Sequence, residues 1–163
     1  MNIKQAIQIV VKGTDLEQDQ AADAMREIMT GDATPAQFGA FLTGLRMKGE
    51  TPYEIAGMAS VMRSVSLHVE TDLEMIDTCG TGGSGLDWFN ISTASAFVVA
   101  GAGVPVAKHG NRAMSGSTGS ADVLETLGVN IALGPEGVKN CFNKVGVGFM
   151  FAQAFHPAMK FAG

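Results

Sequence analysis

At 163 residues, with 46% apolar and 17% charged side chains, the chain has the composition of an ordered globular protein and argues against intrinsic disorder. A net charge of −5 argues against a nucleic-acid binder, and two cysteines, Cys79 and Cys141, in no CxxC pair, are too few for a disulfide scaffold and suit a reducing cytoplasm. The start MNIKQAIQIVVKG lacks the features of a signal peptide, and AFVVAGAGVPVA is too short and too broken by Gly and Pro to span a bilayer.

The first part of the chain reads as helices. Ile3, Ala6, Ile7 and Val10 form one stripe at spacings of three and four, closed by Gly13; Ala22, Met25, Ile28 and Met29 form a second, closed by Gly31. Thr34-Pro35 and Thr51-Pro52 each place a hydroxyl at an N-cap and proline at the first helical position, and Glu54 completes a capping box with Thr51. Phe38, Phe41, Leu42 and Leu45 are expected to supply the buried face of the third helix, and Ile55, Met58, Val61, Met62 and Val65 that of the fourth. These helices make a domain over residues 1–70 whose modest burial calls for a partner surface, either the rest of the chain or a second copy.

After ETDLE the texture changes, and residues 71–163 read as α/β. MIDTC is expected to be a short strand, STASAFVVAGAG a helix starting at Ser92 or Thr93, and VPVAKHG a second strand. SADVLETLG follows as a helix capped by Ser120 and ended by Gly128, GPEGVKNCFNKVG as another helix, and VGFMFA as a third strand. Strands alternating with helices imply βαβ units and a mainly parallel sheet, with ligands at the carboxyl ends of the strands. The expected fold class is α/β: a small N-terminal helical domain followed by the first part of a mainly parallel-sheet domain.

Glycines are abundant from Gly80 onward. Gly80-Thr81-Gly82-Gly83-Ser84-Gly85 follows the first strand, and is either a plain tight turn or a loop whose backbone N–H groups converge on phosphate oxygens at the start of the next helix. Asn90, Ser92 and Thr93 at that start are either capping residues or phosphate ligands, and Ser92 is able to add a neutral oxygen to Mg2+. KHGNR, Lys108 to Arg112, ends the second strand inside a stretch from Trp88 to Ala121 that has no Asp or Glu. Lys108 offers a point charge, Arg112 a planar fork and Gly110 close approach of the backbone. SGSTGS, Ser115 to Ser120, forms a second anion cradle, and two cradles with a lysine between them suit a substrate carrying phosphate at two separated points.

In order and spacing, GTGG, FNIST, VAKHGNRA and GSADVLETLG resemble the anthranilate phosphoribosyltransferase family, a branch of the nucleoside-phosphorylase-like phosphoribosyltransferases. The resemblance covers essentially the whole chain, including the helical start with GLRMKGET and the ending GVGFMFAQAFHPAMK. It implies transfer of a 5-phosphoribosyl group from phosphoribosyl diphosphate to the amino group of anthranilate in tryptophan biosynthesis, with Mg2+ as cofactor. It implies that Gly80, Gly83, Ser84, Trp88, Asn90, Ile91, Ser92 and Thr93 contact phosphoribosyl diphosphate, as do Lys108, His109, Gly110, Asn111, Arg112, Ala113, Met114, Ser115, Gly116 and Ser120. Gly80, His109 and Asn111 would face anthranilate, Ser92 would bind Mg2+, and Lys108 and Asn111 would be catalytic. A homodimer through the N-terminal helices and a cytoplasmic location belong to the same implication.

Three residues depart from the family pattern: Ser84 replaces an Asp, Trp88 a small hydroxyl residue before FN, and Ser117 a common basic residue. Family members are roughly twice as long, a size that implies more than one domain. The chain is therefore expected to be an N-terminal portion with an incomplete sheet, without the family's anthranilate-binding Arg and later Asp-Glu pair for Mg2+. A pyrimidine nucleoside phosphorylase and a non-catalytic folding or dimerisation module are the alternatives with the same architecture.

Overall fold

The computed structural model describes residues 1–80, 89–113 and 118–161. The chain divides into two compact units, Met1–Ser66 with His156–Gly163, and Leu67–Phe155. The helical unit holds α1 (Ile3–Val10), α2 (Gln18–Thr30), α3 (Pro35–Lys48) and α4 (Pro52–Ser64), and the 3-10 turn Pro157–Phe161 packs against α2. Thr34 accepts from the N–H of Gln37 and Thr51 from that of Glu54, each with proline at the helix start. Gly31 ends α2 in the left-handed region, φ 84°, where a side chain would be strained. Ile3, Val10, Ile28, Phe41, Leu45 and Val61 lie in one core, each such side chain contributing about 2 kcal/mol on burial.

Two residues expected in that core lie outside it: Leu42 is 42% exposed and Ile55 is 53% exposed. The buried line of α4 runs instead through Glu54, Gly57 and Val61. Gly57 marks the crossing of α2 and α4, since a Cβ there would stand 2.2 Å from the backbone oxygen of Gln18. Gly57→Ala is expected to force the two helices apart and cost roughly 3 kcal/mol. A urea midpoint equal to that of the unchanged chain would contradict the close crossing.

Glu54 is fully buried beside it. Its carboxylate accepts from the N–H groups of Leu16 at 2.9 Å and Thr51 at 2.7 Å, and from Lys48 Nζ at 3.0 Å. Lys48 Nζ also donates to Asp15 and to the carbonyl of Gly49. Burial opposes the charge on Glu54, but the donors around it prevail and hold its carboxyl below the ordinary range.

The second unit holds α5 (Ile91–Gly101), β1 (Val106–Gly110), α6 (Ser120–Thr126), α7 (Pro135–Val145), β2 (Val147–Phe151) and α8 (Ala152–Phe155). β1 and β2 pair in parallel, from Val106 opposite Val147 to Gly110 opposite Phe151, with α6 and α7 in the crossover. The fold is therefore α/β, a helical domain followed by a parallel sheet that has two strands among the described residues. Val138, Phe142 and Phe155 form one apolar cluster of this unit, and Ala121, Leu124, Ile131, Phe149 and Phe151 another. No helix among the described residues is long and apolar enough to cross a membrane.

MIDTC, expected as a strand, forms a single parallel bridge from Ile76 to Val106. One residue on, the ladder gives way to a side chain: the Asp77 carboxylate accepts the N–H of Cys79 at 2.9 Å and of His109 at 3.3 Å. The start of α6 is also corrected. Gly119, not Ser120, is the cap residue, and Asp122, three positions into the helix, accepts the Gly119 N–H at 2.8 Å.

Candidate functional site

Alternate residues of a strand share a face, and β1 sends Val106 and Lys108 into the interior, Lys108 with only 2% of its surface exposed. Its Nζ donates to Ser92 Oγ, 3.2 Å away in the first turn of α5. Burial pushes the Lys108 ammonium below the usual lysine range, and the negative charge of Asp77 partly restores it. Thr78 Oγ1 donates to the Ser92 carbonyl at 2.7 Å, so the segment leading into the glycine loop is tied to the same turn. The stem of Lys108 and the buried Thr93 line a largely apolar cavity of about 210 Å³ with Phe97, Leu124, Val145 and Phe149.

Asn90 occupies the cap position of α5, yet its side chain makes no capping hydrogen bond. Its Nδ2 donates instead to the carbonyl of Thr118 at 2.9 Å, and its Oδ1 accepts from Thr93 Oγ1 at 3.4 Å. The capping alternative therefore does not account for Asn90, which links the two segments read as cradles. A helix start whose backbone donors lack a side-chain cap favours an anion.

Beyond Lys108, the backbone of His109 is held by Asp77. Gly110 has a packing reason: a Cβ there would stand 2.9 Å from Phe149 Cε2 and 3.0 Å from Ser120 Cβ. Asn111 Oδ1 accepts the N–H of Arg112 at 2.8 Å, and its carbonyl accepts that of Ala121 at 3.2 Å. Arg112, read from sequence as a fork for phosphate, is turned toward carboxylates. Its guanidinium donates to Asp122 at 3.3 Å and, through both terminal nitrogens, to Glu125, and lies 5.6 Å from the Phe151 ring centre. The cationic stretch is thus partly balanced by acids just past its end.

The structure brings Asn90, Ser92, Thr93 and Lys108 together, with Ile91 exposed at the start of α5, and sets Asn111 and Ala113 against the start of α6 at Ser120. Gly80 follows the Asp77–Cys79 turn. Gly83, Ser84, Trp88, Met114, Ser115, Gly116 and Ser117 lie outside the described residues. Sequence reasoning missed Asp77 and Thr78, although their place directly before the glycines was the available signal.

Among the described residues no group of three His, Cys, Asp or Glu side chains stands close enough to hold a metal ion. Ser92 Oγ is a neutral, hard oxygen that accepts one hydrogen bond and retains a second lone pair. It fits Mg2+ as one protein ligand in a shell completed by substrate oxygens and water.

A buried cation beside an uncapped helix start, at the carboxyl end of a parallel strand, is an arrangement suited to an anionic ligand. The helical bundle domain of a glycosyl transferase family matches residues 4–66 and its a/b domain matches residues 72–163, so the chain belongs to this glycosyl transferase family. The anthranilate phosphoribosyltransferase of Chloroflexus aurantiacus strain J-10-fl is 65% identical over the whole chain, which covers 48% of that protein. The crystal structure of anthranilate phosphoribosyltransferase from Thermus thermophilus matches with a TM-score of 0.82 at 42% identity, over 97% of this chain and 48% of that one. The Saccharomyces cerevisiae enzyme in complex with phosphoribosyl diphosphate and Mg matches with a TM-score of 0.85 over 98% of this chain and 49% of that one; at 24% identity this likeness concerns the fold. The chain spans about half the length of the curated relatives it matches.

Proposed function

We propose that this chain is the phosphoribosyl-diphosphate-binding N-terminal portion of an anthranilate phosphoribosyltransferase, an enzyme of tryptophan biosynthesis. The observation that carries the reading is the buried Lys108 ammonium held 3.2 Å from Ser92 Oγ in the first turn of α5. The whole-chain likeness to enzymes of that name supports it. In this reading Lys108 and the N–H groups opening α5 bind the diphosphate, with Asn90 and Thr93 on its oxygens and Ser120 at the second cradle. Gly80, His109 and Asn111 face anthranilate, and Asn111 holds the amine in line with the ribose carbon it attacks. Ser92 Oγ would hold Mg2+, which when bound neutralises charge on the departing diphosphate. Positive charge develops at the ribose carbon as diphosphate leaves, so preorganised donors on the leaving group and an oriented amine account for the catalysis. The free thiols of Cys79 and Cys141 agree with a cytoplasmic setting.

The test joins this chain to the second half of the Chloroflexus relative and offers two substrate sets. Consumption of anthranilate with phosphoribosyl diphosphate is expected; phosphate-dependent cleavage of a pyrimidine nucleoside instead would overturn the reading.

The helical unit is proposed to form a homodimer. Val11 and Met47, 62% and 84% exposed, border a groove floored by Gly39, Ala40, Thr43 and Gly44, and small residues let a second helix approach closely. Met47→Lys is expected to leave the chain monomeric in sedimentation velocity where the unchanged chain sediments as a dimer. A dimer of undiminished affinity would refute this face.

A further inference from the structure

The start of α6 is fastened to the end of β1 by a single carboxylate that the functional reading leaves without a role. Asp122 Oδ2 accepts the N–H of Ala113 at 3.0 Å and that of Gly119 at 2.8 Å, while its Oδ1 accepts from Arg112 at 3.3 Å. The two N–H groups are six positions apart in sequence but meet on one oxygen. Glu125, one turn further along α6, receives the rest of the Arg112 fork. The backbones underneath are in direct apposition: a Cβ on Gly119 would lie 2.4 Å from Ala113 N and 2.6 Å from the carbonyl oxygen of Asn111. The Asn111 carbonyl in turn accepts the N–H of Ala121.

We infer that Asp122 is a positioning residue, fixing Asn111 and Ser120 relative to each other and to the β1 strand that carries Lys108. This inference rests on the reading of the site as a phosphoribosyl-diphosphate pocket. Asn111 stands on the strand side of the contact and Ser120 opens the helix side. A displacement of α6 from β1 separates Ser120 from Lys108, the groups expected to hold the two phosphate-bearing ends of one substrate, and Ser120 from Asn111 beside them. Arg112 then has a different part from the one its charge suggests: it braces Asp122 and Glu125 while lying over Phe151 of β2, so it joins α6 to the sheet. The donors around Asp122, chiefly the Gly119 N–H and then that of Ala113, hold its carboxyl below the ordinary range, so the clamp is charged at neutral pH.

Two measurements on the 163-residue chain decide the matter. Amide hydrogen exchange is expected to show Ala113 and Gly119 protected in the unchanged chain, and both exchanging about 100-fold faster in Asp122→Asn, with the helices of the first unit unaffected. Titration calorimetry with phosphoribosyl diphosphate and Mg2+ is expected to show affinity about tenfold weaker for Asp122→Asn, and unchanged for Glu125→Gln, which spares both backbone bonds. Unprotected Ala113 and Gly119 amides in the unchanged chain would overturn the clamp even if Asp122→Asn does not fold. Equal affinity of Asp122→Asn and the unchanged chain would overturn the positioning role. No binding by the unchanged chain would overturn the ligand reading, and the positioning role with it, while the exchange data still decide the clamp.

Discussion

Lys108→Ala is expected to weaken binding of phosphoribosyl diphosphate about 100-fold, because truncating one partner of a buried, hydrogen-bonded charge pair costs roughly 3 kcal/mol. Lys108 keeps 2% of its surface in contact with solvent, so its ammonium has given up nearly all of its hydration. Ser92 Oγ supplies one hydrogen bond at 3.2 Å, and Asp77 contributes through its negative charge. A diphosphate oxygen would return the counter-charge that burial withheld, in a medium where the attraction is screened far less than in water. The pH dependence has a definite sign. Burial lowers the Lys108 pKa in the free chain, and an anionic ligand favours the protonated form. Affinity therefore falls as pH rises through that lowered pKa, earlier than an ordinary lysine at 10.5 would require. Titration calorimetry across the alkaline range measures both effects. A wild-type affinity that is flat until the ordinary lysine range would mean that burial does not lower the Lys108 pKa, and a Lys108→Ala chain that binds normally would remove Lys108 from the site.

Much of this site was legible because its chemistry is local. Lys108 interrupts an apolar strand, and Ser92 follows the glycine loop within a helix start; both positions follow from strand period and capping rules alone. What escaped depended on contacts remote in sequence. Asp77 accepts the backbone of His109, thirty-two positions away, in place of a sheet ladder, and no periodicity marks such a residue. The carboxylate partners of Arg112 were missed for the same reason. Its neighbours Lys108 and His109 suggested a cationic patch, whereas its partners Asp122 and Glu125 lie ten and thirteen positions further on, in α6. The helical unit teaches the complementary point. Ile55 looked like core because it is apolar, but the buried line of α4 is set by Gly57, where the backbone of α2 comes closest, and Glu54 lies on that line because three donors satisfy it. Steric fit and hydrogen bonding overrode hydrophobicity at both positions.

Glu54→Gln is accordingly expected to be among the most destabilising single changes in the helical unit, by about 3 kcal/mol, because it leaves the buried Lys48 ammonium short of a partner. The side chain of Lys48 is 4% exposed, and after the change it retains Asp15 and the Gly49 carbonyl. One oxygen of Glu54 accepts from Leu16 and the other from Thr51 and Lys48, so an amide NH2 must face a donor whichever way it turns. The pH dependence of stability is a second, independent signature. The folded-state pKa of Glu54 lies below its ordinary value of 4.5. Its charge therefore stabilises the fold above that value, and the stabilisation is lost as pH falls through the lower, folded-state pKa. Asp23 is also depressed, first by its hydrogen bond to the N-terminal ammonium and then by Arg26, but it titrates identically in both chains and cancels in the difference. Urea unfolding followed by circular dichroism should give a gap between the unchanged chain and Glu54→Gln that is full at neutral pH and shrinks steadily in acid. A gap that stays constant into acid would mean that the loss reflects shape alone, and that the charge on Glu54 contributes nothing to holding α4 against the turn at Leu16.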